Sequence, residues 1–456
     1  MSESLSFWFE RHTRLLLVML AAVAVILRIV LGTNSPQPFG YIYDAYWPSV
    51  ELVYETRTIP SATACRECYQ PPFFQFVSVP FYAIGRWIAP TEPSPYVTAM
   101  RSMQIVPLAA SLITLWYCYR LLRLFRFRGP YLVTGVAVAA SLPVFFIASY
   151  SLEPDLLLGT VIAAFLYYLV RWYIRPAAAR VGDVVRLGCL AGLAAATKYS
   201  GLSAGAVGLA LFGLEVANGP SRRRAAAHLA LFVLALVSIG SWKYVKNLQQ
   251  FGTPFFANGS AADGFSGTGR QTYWNSYEFG TLRVDELLQL TRQSAPSGKL
   301  TELPVYRSFW TTLHGLMWGD MGFFTNPTRH GSGRPLYRDR HVPQWLTSSV
   351  LSLGFVPSAL AAIGLLTMLT HRSSRPLVLI CAVGLTSYVY WVVGQQFWAI
   401  KAKYLLFLLP AYVVFLTAGL SLLTRVLPTP FKGLVWLSVL ALIVLAHGYL
   451  LAFAWG

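Results

Sequence analysis

The chain has 456 residues, of which 55% are hydrophobic and only 12% are charged. A soluble globular domain carries about 25% charged residues, so this composition excludes an ordinary soluble enzyme and indicates a polytopic membrane protein. The formal net charge of +18 would suit a nucleic-acid-binding protein. Most of it is explained by basic loops between apolar segments, however, and we expect no nucleic-acid partner.

Apolar segments of about 20 residues, the length that crosses a bilayer core, recur along the chain. No small-residue cleavage site follows the first one, so we expect a retained span rather than a signal peptide. The sequence predicts an all-α protein with about eleven spans in a single domain, residues 1–456, without an appended soluble domain. The predicted spans are 15–32, 101–122, 131–149, 154–174, 186–197, 199–217, 226–246, 346–370, 376–394, 403–424 and 433–453.

A further apolar stretch, 72–90, contains Pro80 and Arg86, and the loop charges decide how we interpret it. Six short segments together hold 17 Lys and Arg residues against three acids, which predicts that all six are cytoplasmic. That is possible only if 72–90 does not cross the bilayer, so we expect an interfacial helix there. The six segments are 1–14, 119–130, 171–186, 218–225, 371–376 and 425–432.

This topology places the N-terminus in the cytoplasm, the C-terminus outside, and two large external segments at 33–100 and 247–345. We expect an integral protein of a bacterial inner (plasma) membrane. Segment 247–345 is long and polar, yet its aromatic content argues against disorder and favours a folded lid. Within it, Asp320 and His314 are candidates for substrate contact, although a lone histidine is more often a structural hydrogen-bonding residue.

Acidic residues gather on the predicted external side. Asp44 follows the first span and has Tyr43 beside it, and Glu153 and Asp155 stand at the start of the fourth span. A carboxylate at the mouth of a span is costly in hydrocarbon and indicates a functional site. For Glu153 and Asp155, helix capping is an equally good interpretation, because acids complement the positive end of a helix dipole.

Basic residues occur on the same side. Lys198 lies in an external turn, Lys401 and Lys403 lie at the outer end of the tenth span, and Arg101 lies at the start of the second. Each of these cations either extends to the lipid headgroups or binds an anion, for which lipid phosphate is the obvious candidate. The sequence leaves both interpretations open.

Cys65 and Cys68 form one C-x-x-C pair in the first external segment. A structural zinc site needs four ligands, so a disulfide is the better interpretation in an oxidising compartment, with a free thiol pair as the alternative. The sequence contains no phosphate-binding loop and no common zinc or serine hydrolase motif. We therefore expect no nucleotide-driven activity and no required cofactor, with a divalent metal as the open alternative.

The motifs that follow one another along the chain resemble the GT-C superfamily of integral-membrane glycosyltransferases. The pattern is similar to protein O-mannosyltransferases and to the aminoarabinose transferases of lipid A, over about residues 10 to 425. After Asp44 the motifs are CYQPPFF, EPD, GLAAATKYSGL, WKYVKNLQQFGTPFF and KAKYLLFLLP. The sequence departs from the family pattern at two places. Tyr69 and Gln70 stand where the family has the start of a His-Pro-Pro run, and Lys403 stands where it has an arginine.

The resemblance implies a sugar donor on polyprenyl phosphate and an inverting hexosyl or pentosyl transfer, on the outer face, to a lipid, glycan or protein acceptor. Asp44 would be the general base, and Asp155 or Glu153 would orient the acceptor. The residues expected to bind the donor phosphate are Lys198, Lys401, Lys403 and Arg101. Those expected to contact substrate are Tyr43, Tyr69, Gln70, Asp320 and His314.

Two other functions remain open at this stage. A transporter or flippase of lipid-linked sugars would place charges near the bilayer midplane, whereas here they collect at the outer rim. A catalytically inactive scaffold of the same fold is the second alternative.

The topology can be tested with reporter fusions. Alkaline phosphatase fused after Gly456 should be active and a fluorescent protein there should be dark, because the C-terminus is expected outside. The same reporters inserted in 218–225 should give the reverse pattern. If 72–90 crossed the whole bilayer, both results would be inverted.

Overall fold

The computed structural model describes residues 3–34, 46–65, 67–91, 97–175, 180–219, 221–256, 281–288, 308–319, 342–394 and 400–455. Within these ranges the chain forms nineteen α-helices and no strand. Three of the predicted site residues, Tyr43, Asp44 and Asp320, lie outside the described residues.

The helices are numbered in chain order. Their bounds are α1 Glu3–Asn34, α2 Trp47–Thr56, α3 Phe73–Ile88, α4 Val97–Met103, α5 Ile105–Leu124, α6 Gly129–Ser141, α7 Pro143–Ala148, α8 Asp155–Ile174, α9 Val181–Thr197, α10 Leu202–Asn218, α11 Arg222–Gly240, α12 Trp242–Phe251, α13 Val284–Leu288, α14 Phe309–Trp318, α15 Gln344–Leu353, α16 Phe355–Met368, α17 Arg375–Gly394, α18 Leu409–Val426 and α19 Thr429–Trp455. Short 3₁₀ segments lie at Tyr199–Gly201, Arg372–Ser374 and Ala402–Leu408.

The predicted all-α membrane architecture is confirmed. Eight helical segments of the described chain are long and apolar enough to cross a membrane. They are Arg11–Thr33, Val97–Leu124, Asp155–Ile174, Tyr199–Asn218, Arg222–Gly240, Trp345–Met368, Ala402–Val426 and Thr429–Ala452. The three other predicted spans are also helical, as α6 with α7, α9 and α17, while the total of eleven crossings stays a prediction.

The doubtful stretch 72–90 forms α3, which has 16 residues. At 1.5 Å per residue this helix is about 24 Å long, shorter than the roughly 30 Å hydrocarbon core. It packs tightly against α4, since a Cβ placed on Gly85 would lie 2.4 Å from the Cα of Ala99. Trp87 and Ile88 at its end remain exposed. This short helix, fixed along its neighbour, suits the interfacial placement that the loop charges predict.

Charged side chains divide between the two ends of the helix bundle. At one end, Arg120 donates to the Tyr167 hydroxyl over 2.6 Å, and Arg375 donates to that of Tyr173 over 3.3 Å. This end, which we call the arginine end, contains the loops predicted to be cytoplasmic. The opposite end, called the lysine end, contains the start of α8, the end of α9 and the 3₁₀ segment Ala402–Leu408.

Helix α8 lies in the centre of the bundle and is buried along most of its length. Hydroxyl groups attach it to α5: Thr160 donates to the Ala110 carbonyl over 2.7 Å and lies 2.9 Å from the Thr114 hydroxyl. Inside a membrane such bonds join helices because lipid offers no competing partner. The rigid position of α8 determines where its first residue, Asp155, is held.

Helices α16 and α18 cross with backbone contact at two glycines. A Cβ on Gly364 would lie 1.8 Å from the Phe415 carbonyl oxygen, and one on Gly419 would lie 2.0 Å from that of Leu360. Small residues permit such close helix packing in membranes.

The substitution Gly364→Ala should therefore force the two helices apart and cost about 1–3 kcal/mol. Thermal unfolding in detergent should show a lower midpoint for this variant. Gly213→Ala is the matched control, because a Cβ at Gly213 meets nothing within 4 Å. Equal midpoints for the two variants would contradict this account of the packing.

Candidate functional site

The site begins where α8 begins. Helix α7 ends at Ala148, and the chain turns through Tyr150 before α8 starts at Asp155. The Tyr150 carbonyl accepts a hydrogen bond of 2.9 Å from the Gln104 amide, which fixes this turn to the start of α5. Glu153 and Asp155 are both almost fully buried. Two buried carboxylates need positive partners close by.

Lys198 supplies one of these partners. It ends α9 in an extended conformation, with φ −160° and ψ 153°, and the chain then reverses tightly, because a Cβ at Gly201 would lie 1.9 Å from the Ala194 carbonyl oxygen. The reversal directs the lysine toward α8, where its Nζ donates to Asp155 Oδ1 over 2.7 Å. The ammonium group and the carboxylate are buried together.

The 3₁₀ segment Ala402–Leu408 supplies the second partner. Lys403 Nζ donates to Glu153 Oε2 over 2.5 Å. The backbone of Lys401 is held by the Tyr388 hydroxyl, which accepts from its N–H over 2.8 Å. A 3₁₀ run of seven residues is longer than most, and Lys401 directly precedes this one as its N-cap residue.

All three lysines surround the ring of Tyr404. The distances from Nζ to the ring centroid are 4.0 Å for Lys198, 5.4 Å for Lys401 and 5.5 Å for Lys403. Each lies within the roughly 6 Å over which a cation is attracted to an aromatic face. We call these four residues, with Glu153 and Asp155, the Tyr404 cluster.

The Tyr404 cluster brings several ammonium groups close together. Three ammonium groups accompany two carboxylates among its described members. Gathering like charges in a partly dehydrated site is costly unless opposite charges offset it. A phosphate group is the kind of anion that lysines bind as point charges.

Arg101, the fourth predicted cation, donates to the Gly32 carbonyl over 3.2 Å and so ties α4 to the end of α1. Gly32 in turn faces Tyr150, whose Cβ would be 3.9 Å from a Cβ placed on the glycine. The structure thus puts Arg101 at the lysine end, but the contact described for it is with α1. Its role in phosphate binding stays a prediction.

The sequence motif WKYVKNLQQF forms α12, whose lysines hold the first external segment. Lys243 donates to the Cys68 carbonyl over 2.7 Å and to that of Pro60 over 3.2 Å. Lys246 donates to the Ile59 carbonyl over 2.5 Å. Burial, together with the charge of Lys246, lowers the pKa of Lys243 to about 8. These two lysines therefore build the loop that precedes α3.

The predicted disulfide is present in that loop, with Cys65 and Cys68 joined by an S–S bond of 2.06 Å. The same loop contains Tyr69, whose carbonyl accepts a 3.0 Å hydrogen bond from the Tyr199 hydroxyl. Because Tyr199 directly follows Lys198, the loop containing Tyr69 and Gln70 lies at the lysine end of the bundle. The structure thus brings two more of the predicted site residues to the same end.

His314 lies in α14 and is buried. Its Nε2 donates to the Leu351 carbonyl over 2.9 Å, and its ring stacks on Phe355 with centroids 3.8 Å apart. Burial lowers the pKa of His314, which favours the neutral ring. These contacts attach α14 to α15 and α16, so they describe a packing residue, and substrate contact by His314 stays a prediction.

Sequence reasoning missed Tyr404 and the two lysines of α12. An aromatic residue directly after the KAK run was a signal for Tyr404. The three-residue spacing of Lys243 and Lys246 places both on one helical face, but nothing in the sequence shows that this face is buried. Among the described residues, no group of three or more His, Cys, Asp or Glu could hold a metal ion.

In comparisons by sequence, no protein-family model and no curated protein matches this chain. By structure, it is similar to ArnT from Cupriavidus metallidurans bound to undecaprenyl phosphate, with a TM-score of 0.50 and 14% identity, over 96% of this chain and 76% of that one. ArnT from the same organism in the apo state matches with a TM-score of 0.40 and 15% identity, over 88% and 76% of the two chains. The chain therefore has the polytopic all-helical fold of ArnT, as its resemblance to the GT-C superfamily predicts.

The Asp155–Lys198 pair can be tested for stability. Asp155→Asn or Lys198→Met alone leaves one buried charge without its partner, which costs about 3–5 kcal/mol. The double variant buries two neutral groups, so most of the lost stability should return. Unfolding midpoints of the four proteins in detergent provide the double-mutant cycle. Additive losses would show that the two charges do not interact.

Proposed function

We propose that this chain is a membrane glycosyltransferase that moves a sugar from a polyprenyl-phosphate donor to a lipid, glycan or protein acceptor. The observation that carries the proposal is the Tyr404 cluster, in which three lysines meet two carboxylates at one end of the helix bundle. The fold shared with ArnT, which has been crystallised with undecaprenyl phosphate, supports a polyprenyl phosphate as the lipid.

The lysines would act on the leaving group. When the acceptor oxygen bonds to the anomeric carbon, the bond from that carbon to the phosphate oxygen breaks, and negative charge grows on the phosphate. Cations already in place, in a site poor in water, stabilise that charge without reorganising. Lys198, Lys401 and Lys403 are held in this way by Tyr404 and by the two carboxylates.

The acceptor hydroxyl must lose its proton as it attacks. We assign that proton to the carboxylate of Asp44, the general base that the GT-C resemblance implies. Since Glu153 and Asp155 are engaged by lysines, we now assign them to positioning those cations rather than to orienting the acceptor. A single displacement of this kind inverts the anomeric centre.

The membrane side follows from the loop charges. The arginine end carries the loops predicted to be cytoplasmic, so the Tyr404 cluster would face the periplasm of a bacterial inner membrane. In that arrangement the polyprenyl chain stays in the bilayer while its phosphate reaches the lysines. Nothing in this mechanism requires an ion gradient, which distinguishes it from transport of the lipid-linked sugar.

The proposal predicts turnover by the purified protein in detergent. An undecaprenyl-phosphate sugar and envelope extract from the source strain should yield undecaprenyl phosphate and a glycosylated product, without any gradient. Asp44→Asn should fold normally and lose about 10²–10⁴-fold in rate, the usual contribution of base catalysis. Lys198→Met combined with Asp155→Asn should fold and lose about 10²–10³-fold, as when a fixed transition-state donor is removed.

The control is Lys432→Met, because Lys432 lies at the arginine end, in the first turn of α19, and should keep wild-type activity. Full activity of the double variant would show that Lys198 serves only to neutralise Asp155. Failure of the wild-type protein to turn over any donor, combined with movement of donor across vesicles, would favour a transporter.

A further inference from the structure

Two buried side-chain amides, in segments that contact Tyr199, have an oxygen atom with no hydrogen-bond partner. They are Gln70 Oε1 and Asn247 Oδ1, and their residues are 6% and 0% exposed. Nearly all buried polar atoms in proteins are paired, so each exception needs a cause, such as a water, an ion or a functional role.

The orientation of Asn247 is fixed by its nitrogen. Nδ2 donates to the Pro254 carbonyl over 3.4 Å and lies 3.1 Å from the Tyr199 hydroxyl. A carbonyl accepts but cannot donate, so the nitrogen must face Pro254. The oxygen of the Asn247 amide therefore faces away from these partners and is the atom left unpaired.

Gln70 directly follows a second residue that contacts the same tyrosine. The Tyr199 hydroxyl is 3.0 Å from the carbonyl oxygen of Tyr69, the residue directly before Gln70. The backbone N–H of Gln70 donates to the Glu67 carbonyl over 3.2 Å, within the loop that Lys243 holds. Asn247 and the residue before Gln70 thus meet at the Tyr199 hydroxyl, and Tyr199 directly follows Lys198 in the chain.

We propose that Gln70 and Asn247 form a binding site for carbohydrate hydroxyl groups, beside the phosphate-binding lysines. An amide oxygen takes a hydroxyl donor, whereas it repels phosphate and carboxylate oxygens. A sugar bonded to the phosphate, or a sugar of the acceptor glycan, presents such hydroxyls within a few ångströms of the reacting atoms. This inference deepens the proposed function and rests on it.

A site of this kind leaves polar atoms unsatisfied in the free protein so that the ligand can satisfy them. Burying an unpaired amide oxygen costs stability when the site is empty. Replacing that amide with an apolar group of the same length should therefore not destabilise the free protein, although it should weaken carbohydrate binding. Bound water, the competing occupant, predicts the opposite for stability, because such waters are costly to remove.

The test compares Gln70→Met with Gln75→Met. Gln75 is also buried and its Oε1 also lacks a partner, but it lies on α3 and no described hydrogen bond joins it to Tyr199. Thermal midpoints are measured in detergent with undecaprenyl phosphate alone, with undecaprenyl-phosphate hexoses and pentoses, and with glycolipid extract from the source envelope. Ligand titrations convert the midpoint shifts into affinities.

We expect Gln70→Met to be as stable as the wild type or more so, and to bind undecaprenyl phosphate alone as well as the wild type does. If the donor sugar occupies the site, its affinity should fall about five- to tenfold, while extract binding is unchanged. If the acceptor glycan occupies it, the loss should appear with the extract instead. Gln75→Met should keep all affinities.

Unchanged affinity of Gln70→Met for every ligand would overturn the inference, and so would a lower midpoint in the absence of ligand. Equal loss of sugar affinity in both variants would overturn the assignment to Gln70. These outcomes are separate from failure of the proposed function, which would appear as a wild-type protein that binds neither undecaprenyl phosphate nor its sugar conjugates.

Discussion

The buried ion pair between Asp155 and Lys198 is the interaction on which the rest of the site depends. Neither charge is tolerable alone once water is removed, so the start of α8 and the end of α9 must stay together. Because α8 is the central helix of the bundle, this pair fixes the lysine to the most rigid part of the fold. The second pair, Glu153 with Lys403, brings the 3₁₀ segment Ala402–Leu408 to the same place. The ring of Tyr404 then lies within cation–π distance of all three lysines.

The membrane explains why α12 has its polar face inside. Lys243 and Asn247 are buried against the first external segment, while Trp242, Val245 and Leu248 are exposed. In water that arrangement would be unfavourable, but an exposed apolar stripe beside a buried polar face suits a helix lying at the bilayer interface. The lysines can then donate to loop carbonyls without competition from water, which positions Tyr69 and Gln70 near Lys198.

Stability and function make opposite demands at the lysine end. Within the core, the threonines between α5 and α8 are paired with each other and with backbone carbonyls. In the segments that contact Tyr199, two amide oxygens are buried without partners. Three lysine ammonium groups surround the ring of Tyr404. Such groups persist where the surrounding structure holds them and where a ligand supplies the missing partner. The grouped charges at the lysine end are the feature on which the proposed function rests.

The sequence by itself determined the architecture, because a bilayer requires long apolar helices and the loop charges divide the two ends. It also located Glu153, Asp155, Lys198, Lys401 and Lys403 at the mouths of spans, since charge there is costly enough to be noticed. It did not reveal their pairing, because residues 153 and 403 meet only when α8 and the 3₁₀ segment pack together. The sequence did not indicate Tyr404, Lys243 and Asn247 for the same reason, because each is an ordinary residue within its own segment. What makes them matter is burial against distant segments, and burial is a property that only the tertiary structure decides.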